Sequence, residues 1–294
     1  MTNNKPKVLY KYTTFEVGMK ILESQTIRFS HPKHFNDPYD CNMPIVLKQK
    51  YKLTKDYFIR FAQGLKEHPK KELFKNINVD NLIRLLLSAN DEVPFSAEEF
   101  IQSVFAYWVN KMRILSLSES KDNPLMWGHY AENNSGIVIE FDTKLMFFDY
   151  VNKVRYSKKV PKIDNIIIDD MFSEKRETFG EYSKLFLTKN INWKYEKEYR
   201  CLYDVELVFN YISTNVPSIK ESHPNFYKEL EYQNDFIHQP FFSRCVNNIY
   251  IGLNANIIDE NKIINLAKNK YPNTKIYKAN LSKKEFKIEF NPIN

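Results

Sequence analysis

Trp193-Lys194-Tyr195-Glu196-Lys197-Glu198-Tyr199-Arg200 is the stretch on which the reading of this chain turns. Written as a β-strand, it sends alternate side chains to opposite faces. Trp193, Tyr195, Lys197 and Tyr199 then share one face, while Glu196, Glu198 and Arg200 share the other. Three aromatics anchor the first face against a core, which fixes two carboxylates about 7 Å apart beside a guanidinium. Such a group can organise a sugar, a metal ion or the positive charge of a transition state. A solvated, ion-paired strand face is the plainer use of the same residues.

The rest of the chain narrows the classes. Its 294 residues are 43% hydrophobic and 15% aromatic, with 22 Phe and 19 Tyr against 6 Gly. That supplies one large core or two modest ones. Neither G-x-x-x-x-G-K-[ST] nor G-x-G-x-x-G occurs, so a bound nucleotide has to be held by aromatics and other side chains. The net charge of +7 favours an anionic partner, although the lysines are spread along the chain and serve solubility equally well. Cys41, Cys201 and Cys245 lie far apart without C-x-x-C spacing, as expected of reduced thiols. With no apolar signal core at the N-terminus and no window near a membrane span, the expected setting is cytoplasmic. No nucleophile elbow or cysteine-nucleophile context supports triad hydrolysis.

Working outward, Val8 to Tyr12 reads as a strand, and Thr13 with Glu16 as the capping box of a helix carrying Val17, Ile21 and Leu22. A strand at Thr26–Ser30 leads into a loop, His31 to Asp40, stiffened by Pro32 and Pro38. Lys-rich helical patterns follow at Lys55–Lys66 and Asp80–Ser88, and a third begins at Ser96 with Glu99 completing its box. Strands return at Arg113–Ser118. Asn123 and Pro124 then open a short helix. Further strands are expected at Ile137–Phe141, Val151–Tyr156, Asn248–Leu253, Thr274–Tyr277 and Glu285–Phe290, with helices over Asp169–Leu187 and Ile257–Asn269. The region after Arg200 reads as a polar connection. The pattern predicts a single α+β domain over 1–294, with a mixed, mostly antiparallel β core and a helical insertion at 47–112.

Five motifs in order, Leu9-Tyr10-Lys11-Tyr12, Phe35-Asn36-Asp37-Pro38-Tyr39-Asp40, Leu125-Met126-Trp127-Gly128-His129-Tyr130-Ala131, Gly136-Ile137-Val138-Ile139-Glu140-Phe141-Asp142 and the Trp193 octapeptide, resemble a bacterial family, the domain of unknown function twenty-nine seventy-one. The resemblance spans about residues 8–253, apart from the helical stretch 54–112. Members of that family are often cargo of toxin or defence loci, which implies a toxin or phage-defence effector. The order also resembles the ADP-ribosyltransferase fold: a basic or polar first strand, Tyr10-Lys11-Tyr12; a serine strand, Ser116-Leu117-Ser118; and a late E-x-E strand, Glu196-Lys197-Glu198. The departures are Lys11 where other branches use Arg or His, and Leu117 where a small residue is usual.

That second resemblance implies NAD as substrate, cleaved by transfer or by hydrolysis through an oxocarbenium-like sugar. Glu198 would hold the ribose 2′-hydroxyl as charge develops, and Glu196 would orient or deprotonate the acceptor. Arg200 would keep Glu198 ionised or contact a phosphate. Tyr10, Lys11 and Tyr12 would meet the phosphate or ribose, with alternation allowing only one set into a pocket. Ser30, Asn36 and Asp37 bound the nucleotide or cap turns, and Ser116 and Ser118 belong to the serine strand. Trp127, His129 and Tyr130 offer a ring to stack on nicotinamide or adenine, or pack as core. Two alternatives stand beside this. One is a nucleic-acid- or protein-binding module without catalysis. The other is a metal-dependent nuclease using Asp37, Asp40, Glu196 and Glu198. His31 and His34 fit no standard metal spacing, and no metal is expected.

Overall fold

The computed structural model describes residues 5–50, 96–144, 151–164 and 183–293, together with 54, 56–57, 59–60, 63, 84 and 148. It divides into two compact units. The first joins Met1–Asp37, Asn110–Lys158 and Lys189–Asn294; the second joins Pro38–Val109 and Lys159–Thr188. The fold is mixed α+β and its sheet is mostly antiparallel.

In the first unit the strands are β1 (Val8–Thr13), β2 (Thr26–Ser30), β4 (Met112–Ser118), β5 (Ile137–Asp142), β6 (Val151–Lys153) and β10 (Glu198–Asp204). They are completed by β11 (Phe236–Pro240), β12 (Val246–Ile251), β13 (Lys275–Leu281) and β14 (Ile288–Pro292). These ten form one sheet built as two wings. One wing runs β6-β10-β4-β2-β11 and the other β1-β5-β12-β13-β14. The wings meet where Tyr10 of β1 faces Ser118 of β4; β2 joins the same edge of β4 further along, at Ser30 opposite Ile114. Within this sheet β12 and β13 pair in parallel, as expected for strands joined through a helix. Separately, β7 (Arg155–Ser157) and β9 (Thr188–Asn190) form a small ribbon.

Strand alternation splits the apolar residues between the two faces. Leu9, Leu115, Leu117, Ile139, Phe141, Tyr199, Cys201, Ile249 and Ile251 enter the larger core. It is closed by Ile21 and Leu22 of helix α1 (Phe15–Ser24), and by Val205, Phe226, Leu230, Ile263 and Ala267 from three C-terminal helices. On the other face Tyr10, Tyr12, Val138 and Tyr250 meet Met126 and Trp127. Burying this much apolar surface, at about 25 cal/mol per Å², is what holds the two wings as one sheet.

Local signals account for most boundaries. Helix α1 is capped by Thr14, whose hydroxyl accepts from the Val17 amide, so the capping residue is one later than the Thr13 expected. A helix over Pro124–Tyr130 starts as read, with Asn123 accepting from the Leu125 amide and Pro124 in the first turn. In the second unit Ser96 and Glu99 exchange capping bonds at the start of α2 (Ala97–Lys111), which precedes α3, the Pro124–Tyr130 helix. There β3 (Val46–Leu47) and β8 (Lys162–Ile163) pair in parallel, and Phe105 packs on Phe186 with ring centroids 5.1 Å apart.

One expectation changes. The "polar connection" after Arg200 contains α4 (Val205–Asn215), α5 (Ile219–Ser222), α6 (Pro224–Glu231) and strand β11; α7 (Ile257–Lys270) follows as expected. Asp204 caps α4 by accepting from the Glu206 and Leu207 amides. The helices expected at Lys55–Lys66, Asp80–Ser88 and Asp169–Leu187 fall largely outside the described residues. Cys41, Cys201 and Cys245 are buried, and burial pushes the Cys201 thiol up to about 12. Among the described residues no helix is long and apolar enough to cross a membrane.

Candidate functional site

The octapeptide is not one strand. Ile191–Glu196 is a 3-10 turn, Lys197 takes the left-handed conformation at φ 46°, and β10 begins only at Glu198. Its own N-cap residue and two side chains distant in sequence hold the turn. Asn190 accepts from the Asn192 amide, Asn123 Nδ2 donates to the Tyr195 carbonyl at 2.8 Å, and Ser118 Oγ donates to the Glu196 carbonyl at 2.7 Å. With its backbone groups satisfied this way, the segment gains nothing from joining the ladder. The alternation expected for Trp193 through Lys197 is therefore lost. It survives from Glu198 on, where Glu198 and Arg200 share one face and Tyr199 and Cys201 enter the core.

The two carboxylates nevertheless converge, through a residue the octapeptide does not contain. Lys189, on β9, places its ammonium 2.6 Å from Glu196 Oε2 and 3.4 Å from Glu198 Oε2. Arg200 grips Glu198 with two donors, Nε to Oε1 at 2.8 Å and Nη2 to Oε2 at 3.0 Å. On the other side, Tyr130 donates its hydroxyl to Glu196 Oε1 at 2.5 Å, and Asn36 Nδ2 reaches that hydroxyl at 3.4 Å. The result is a chain of polar groups: Asn36, Tyr130, Glu196, Lys189, Glu198, Arg200. Glu196, Glu198 and Arg200 are all buried, Arg200 completely. The Glu198 amide is itself pinned to Tyr156 Oη at 2.7 Å.

The pair is electrically asymmetric. Burial raises the Glu196 carboxyl above the ordinary range and the charge of Glu198 adds to that, while Lys189 and the Tyr130 hydroxyl oppose it. Burial also penalises the charge on Glu198, but Arg200, Lys189 and the Ser116 hydroxyl outweigh it and hold its carboxyl at about 2. One carboxylate is thus fixed as an anion and its neighbour is poised to take a proton. Glu198 is buried rather than part of a solvated strand face, so the candidate for chemistry is a structural anion as well.

The remaining sequence candidates divide clearly. Tyr10 and Glu198 both stand opposite Ser118 in register, on β1 and β10 either side of β4, and Arg200 stands opposite Ser116. Lys11 Nζ donates to the Ser116 carbonyl at 3.1 Å, between the points where β4 meets β1 and β2. Burial, then the Arg28 charge, bring its pKa down to about 8, with Glu198 acting against them. Tyr12 donates to the Ser120 carbonyl and packs edge-on against Trp127. Trp127 is fully buried with its Nε1 on the Lys121 carbonyl, so its ring belongs to the core and cannot stack on a ligand. His129 of the same helix is exposed, and its ring lies 6.0 Å from that of Tyr195. Ser30 marks the junction of β2 with β4, and Asp37 is buried. Among the described residues no three His, Cys, Asp or Glu side chains gather as metal ligands.

Nothing in the sequence around Lys189 announces a bridge; its role appears only where β9 turns it toward the pair. Glu140 also gains its role only by folding: its buried carboxylate accepts from Tyr250 Oη at 2.6 Å and Asn248 Nδ2 at 2.8 Å. Period-two alternation puts it on the face of β5 opposite Ile137, Ile139 and Phe141, and the register pairs it with Tyr10.

These elements define an α+β protein whose split sheet carries a buried, cation-clamped carboxylate pair. Residues 126–201, from α3 through the start of β10, match the family described as "Protein of unknown function (DUF2971)", the family whose motifs the sequence resembles. Neither among curated proteins nor among solved structures does any match the chain.

Proposed function

We propose that the chain cleaves the nicotinamide–ribose bond of NAD, as an ADP-ribosyltransferase or an NAD glycohydrolase. The observation that carries this reading is the carboxylate pair with opposed proton affinities on one ammonium. Breaking that bond sends its electron pair to the pyridinium nitrogen, releases neutral nicotinamide and leaves an oxocarbenium-like ribose. Glu198, held ionised, suits the task of stabilising that charge through the 2′-hydroxyl. Glu196, with its raised carboxyl, suits uptake of the proton from the attacking water or acceptor. For a ribose to reach Glu198, Lys189 has to release it, and a substrate phosphate is a fitting new partner for that ammonium. The order of strands carrying Tyr10, Ser118 and Glu198 supports the same reading by its likeness to the ADP-ribosyltransferase fold.

The test is incubation with NAD and measurement of free nicotinamide. Wild-type protein should release it; Glu198→Gln should lose about 100-fold or more in rate, the scale of one transition-state contact. Full activity in both Glu198→Gln and Glu196→Gln, or none in the wild type, removes the proposal. A second reading, a binding module without catalysis, is favoured by the completeness of the Glu198–Arg200 pairing. It predicts no nicotinamide release and no role for Glu196 beyond folding.

A further inference from the structure

The 3-10 turn has two characters. Inward, Glu196 is buried against Lys189 and Tyr130. Trp193 and Tyr195 are half-buried, with one part of Tyr195 packed against the core that holds Met126 and Trp127, while Lys194 and Lys197 are exposed. The rings continue beyond the turn: Trp193 to Tyr195 is 6.2 Å between centroids and Tyr195 to the exposed His129 is 6.0 Å, tilted by 37° and 39°. Among the described residues neither Lys194 nor Lys197 is ion-paired, whereas the nearby Lys153 is matched with Glu119. Lys189 lies 4.8 Å over the Trp193 ring and fixes it from the carboxylate side.

A row of rings flanked by unmatched ammonium groups, with its one carboxylate turned inward, is the chemistry that holds single-stranded nucleic acid. Bases stack on the rings and phosphates meet the lysines, without need of sequence. Within residues 191–197 the only carboxylate is Glu196, which is buried, so the exposed charge of the turn is cationic and favours a polyanion over a neutral protein face. The chain's net charge of +7 points the same way.

We infer that Trp193, Tyr195 and His129, with Lys194 and Lys197, form a docking platform for single-stranded nucleic acid, and that this strand is the acceptor at the carboxylate pair. The acceptor half rests on the NAD-cleaving reading; the platform does not. In the transfer, the ribose C1′–nicotinamide bond breaks with its electrons leaving on nicotinamide. A bond then forms from C1′ to a nucleophilic oxygen or nitrogen of the strand, whose proton passes to Glu196.

The experiment uses the full chain and fluorescein-labelled 12-residue oligothymidylate and oligouridylate, with fluorescence anisotropy over a salt series. Wild-type protein should bind at low salt and lose affinity as salt rises. Trp193→Ala should weaken binding about tenfold or more. The double variant Lys194→Gln/Lys197→Gln should flatten the log–log salt slope by up to about 1.4. Both lysines are exposed, so this variant decides the matter even if Trp193→Ala unfolds. Parallel samples with NAD are assayed for nicotinamide and for the mass of the oligonucleotide. Binding that is absent, or indifferent to the double variant, overturns the platform even if nicotinamide is released. Variant-sensitive binding without nicotinamide release keeps the platform and overturns both the acceptor role and the catalytic reading. Nicotinamide release with an unchanged oligonucleotide mass overturns the acceptor role alone.

Discussion

Replacing Arg200 with Met should destabilise the protein by about 3 kcal/mol, mostly because it strands a charge rather than because it loses a contact. Arg200 is fully buried and bidentate to Glu198, at 2.8 and 3.0 Å, and Glu198 is itself buried. A pair of unit charges about 4 Å apart is worth about 4 kcal/mol at an effective dielectric near 20. The shift of the Glu198 carboxyl from 4.5 to about 2 corresponds to about 3 kcal/mol in favour of the anion, after the cost of burial. Breaking a buried pair by removing one partner commonly costs 3–5 kcal/mol. Lys189, at 3.4 Å, still supports Glu198 and places the expected loss at the lower end. For a chain of this size that is a fall in Tm of about 6–12 °C, read by circular dichroism. The diagnostic is the double variant Arg200→Met/Glu198→Gln. It should recover about 2 kcal/mol relative to Arg200→Met alone, since no anion is then left unpaired. Strict additivity of the two single losses, or an Arg200→Met protein as stable as wild type, would refute the argument.

Three further outcomes follow from the same geometry. Tyr130→Phe removes the 2.5 Å donor to Glu196, so the Glu196 carboxyl should rise further and the acid limb of the NAD-cleavage pH profile should move to higher pH; an unmoved limb would separate Tyr130 from the proton transfer. Because the folded-state pKa of Glu198 is depressed, its contribution to stability is present above the unfolded value of about 4.5 and is lost as pH falls toward about 2. Urea titrations across that window should therefore show a steeper loss in wild type than in Glu198→Gln, and equal slopes would contradict it. Gly136→Ala should cost about 1–3 kcal/mol, since a Cβ there would lie 2.3 Å from the Thr13 carbonyl oxygen; a melting temperature within a degree of wild type would show that the β1–β5 junction yields.

What could be read from the sequence was what neighbouring residues decide among themselves. Asn123 and Pro124 announce a helix start by cap chemistry alone. Ile137–Asp142 is an apolar run of strand length, and Thr26–Ser30 is bounded by residues that stop it. Asp204 and Pro224 carried equally local signals for α4 and α6, and Val205, Val208, Phe209 and Ile212 recur at helical spacing after the first. The turn at Ile191–Glu196 was beyond reach for a different reason. Its aromatic and charged residues fit a strand, and the hydrogen bonds that exclude a strand come from Ser118 and Asn123, some seventy positions away. The candidate site followed the same division: Glu196, Glu198 and Arg200 stood out by type and spacing, whereas Lys189 became part of the site only by folding.

Lys189 is also where the inner and outer sides of the turn communicate. Its ammonium touches Glu196, lies within reach of Glu198 and sits over the Trp193 ring, so its position depends on charge inside and on stacking outside. Withdrawing it removes the ion pair that opposes protonation of Glu196, while the charge of Glu198 stays, which raises the proton affinity of Glu196 further. A ligand that draws Lys189 outward therefore strengthens the base at the moment an acceptor arrives. A ligand that leaves Lys189 in place leaves the pair clamped. Lys189→Met separates these effects: it should raise the Glu196 carboxyl without any ligand, seen by carbon-13 NMR of labelled glutamate, and make that titration insensitive to an oligonucleotide. If the Glu196 signal in Lys189→Met still responds to the oligonucleotide as in wild type, the coupling runs through another residue.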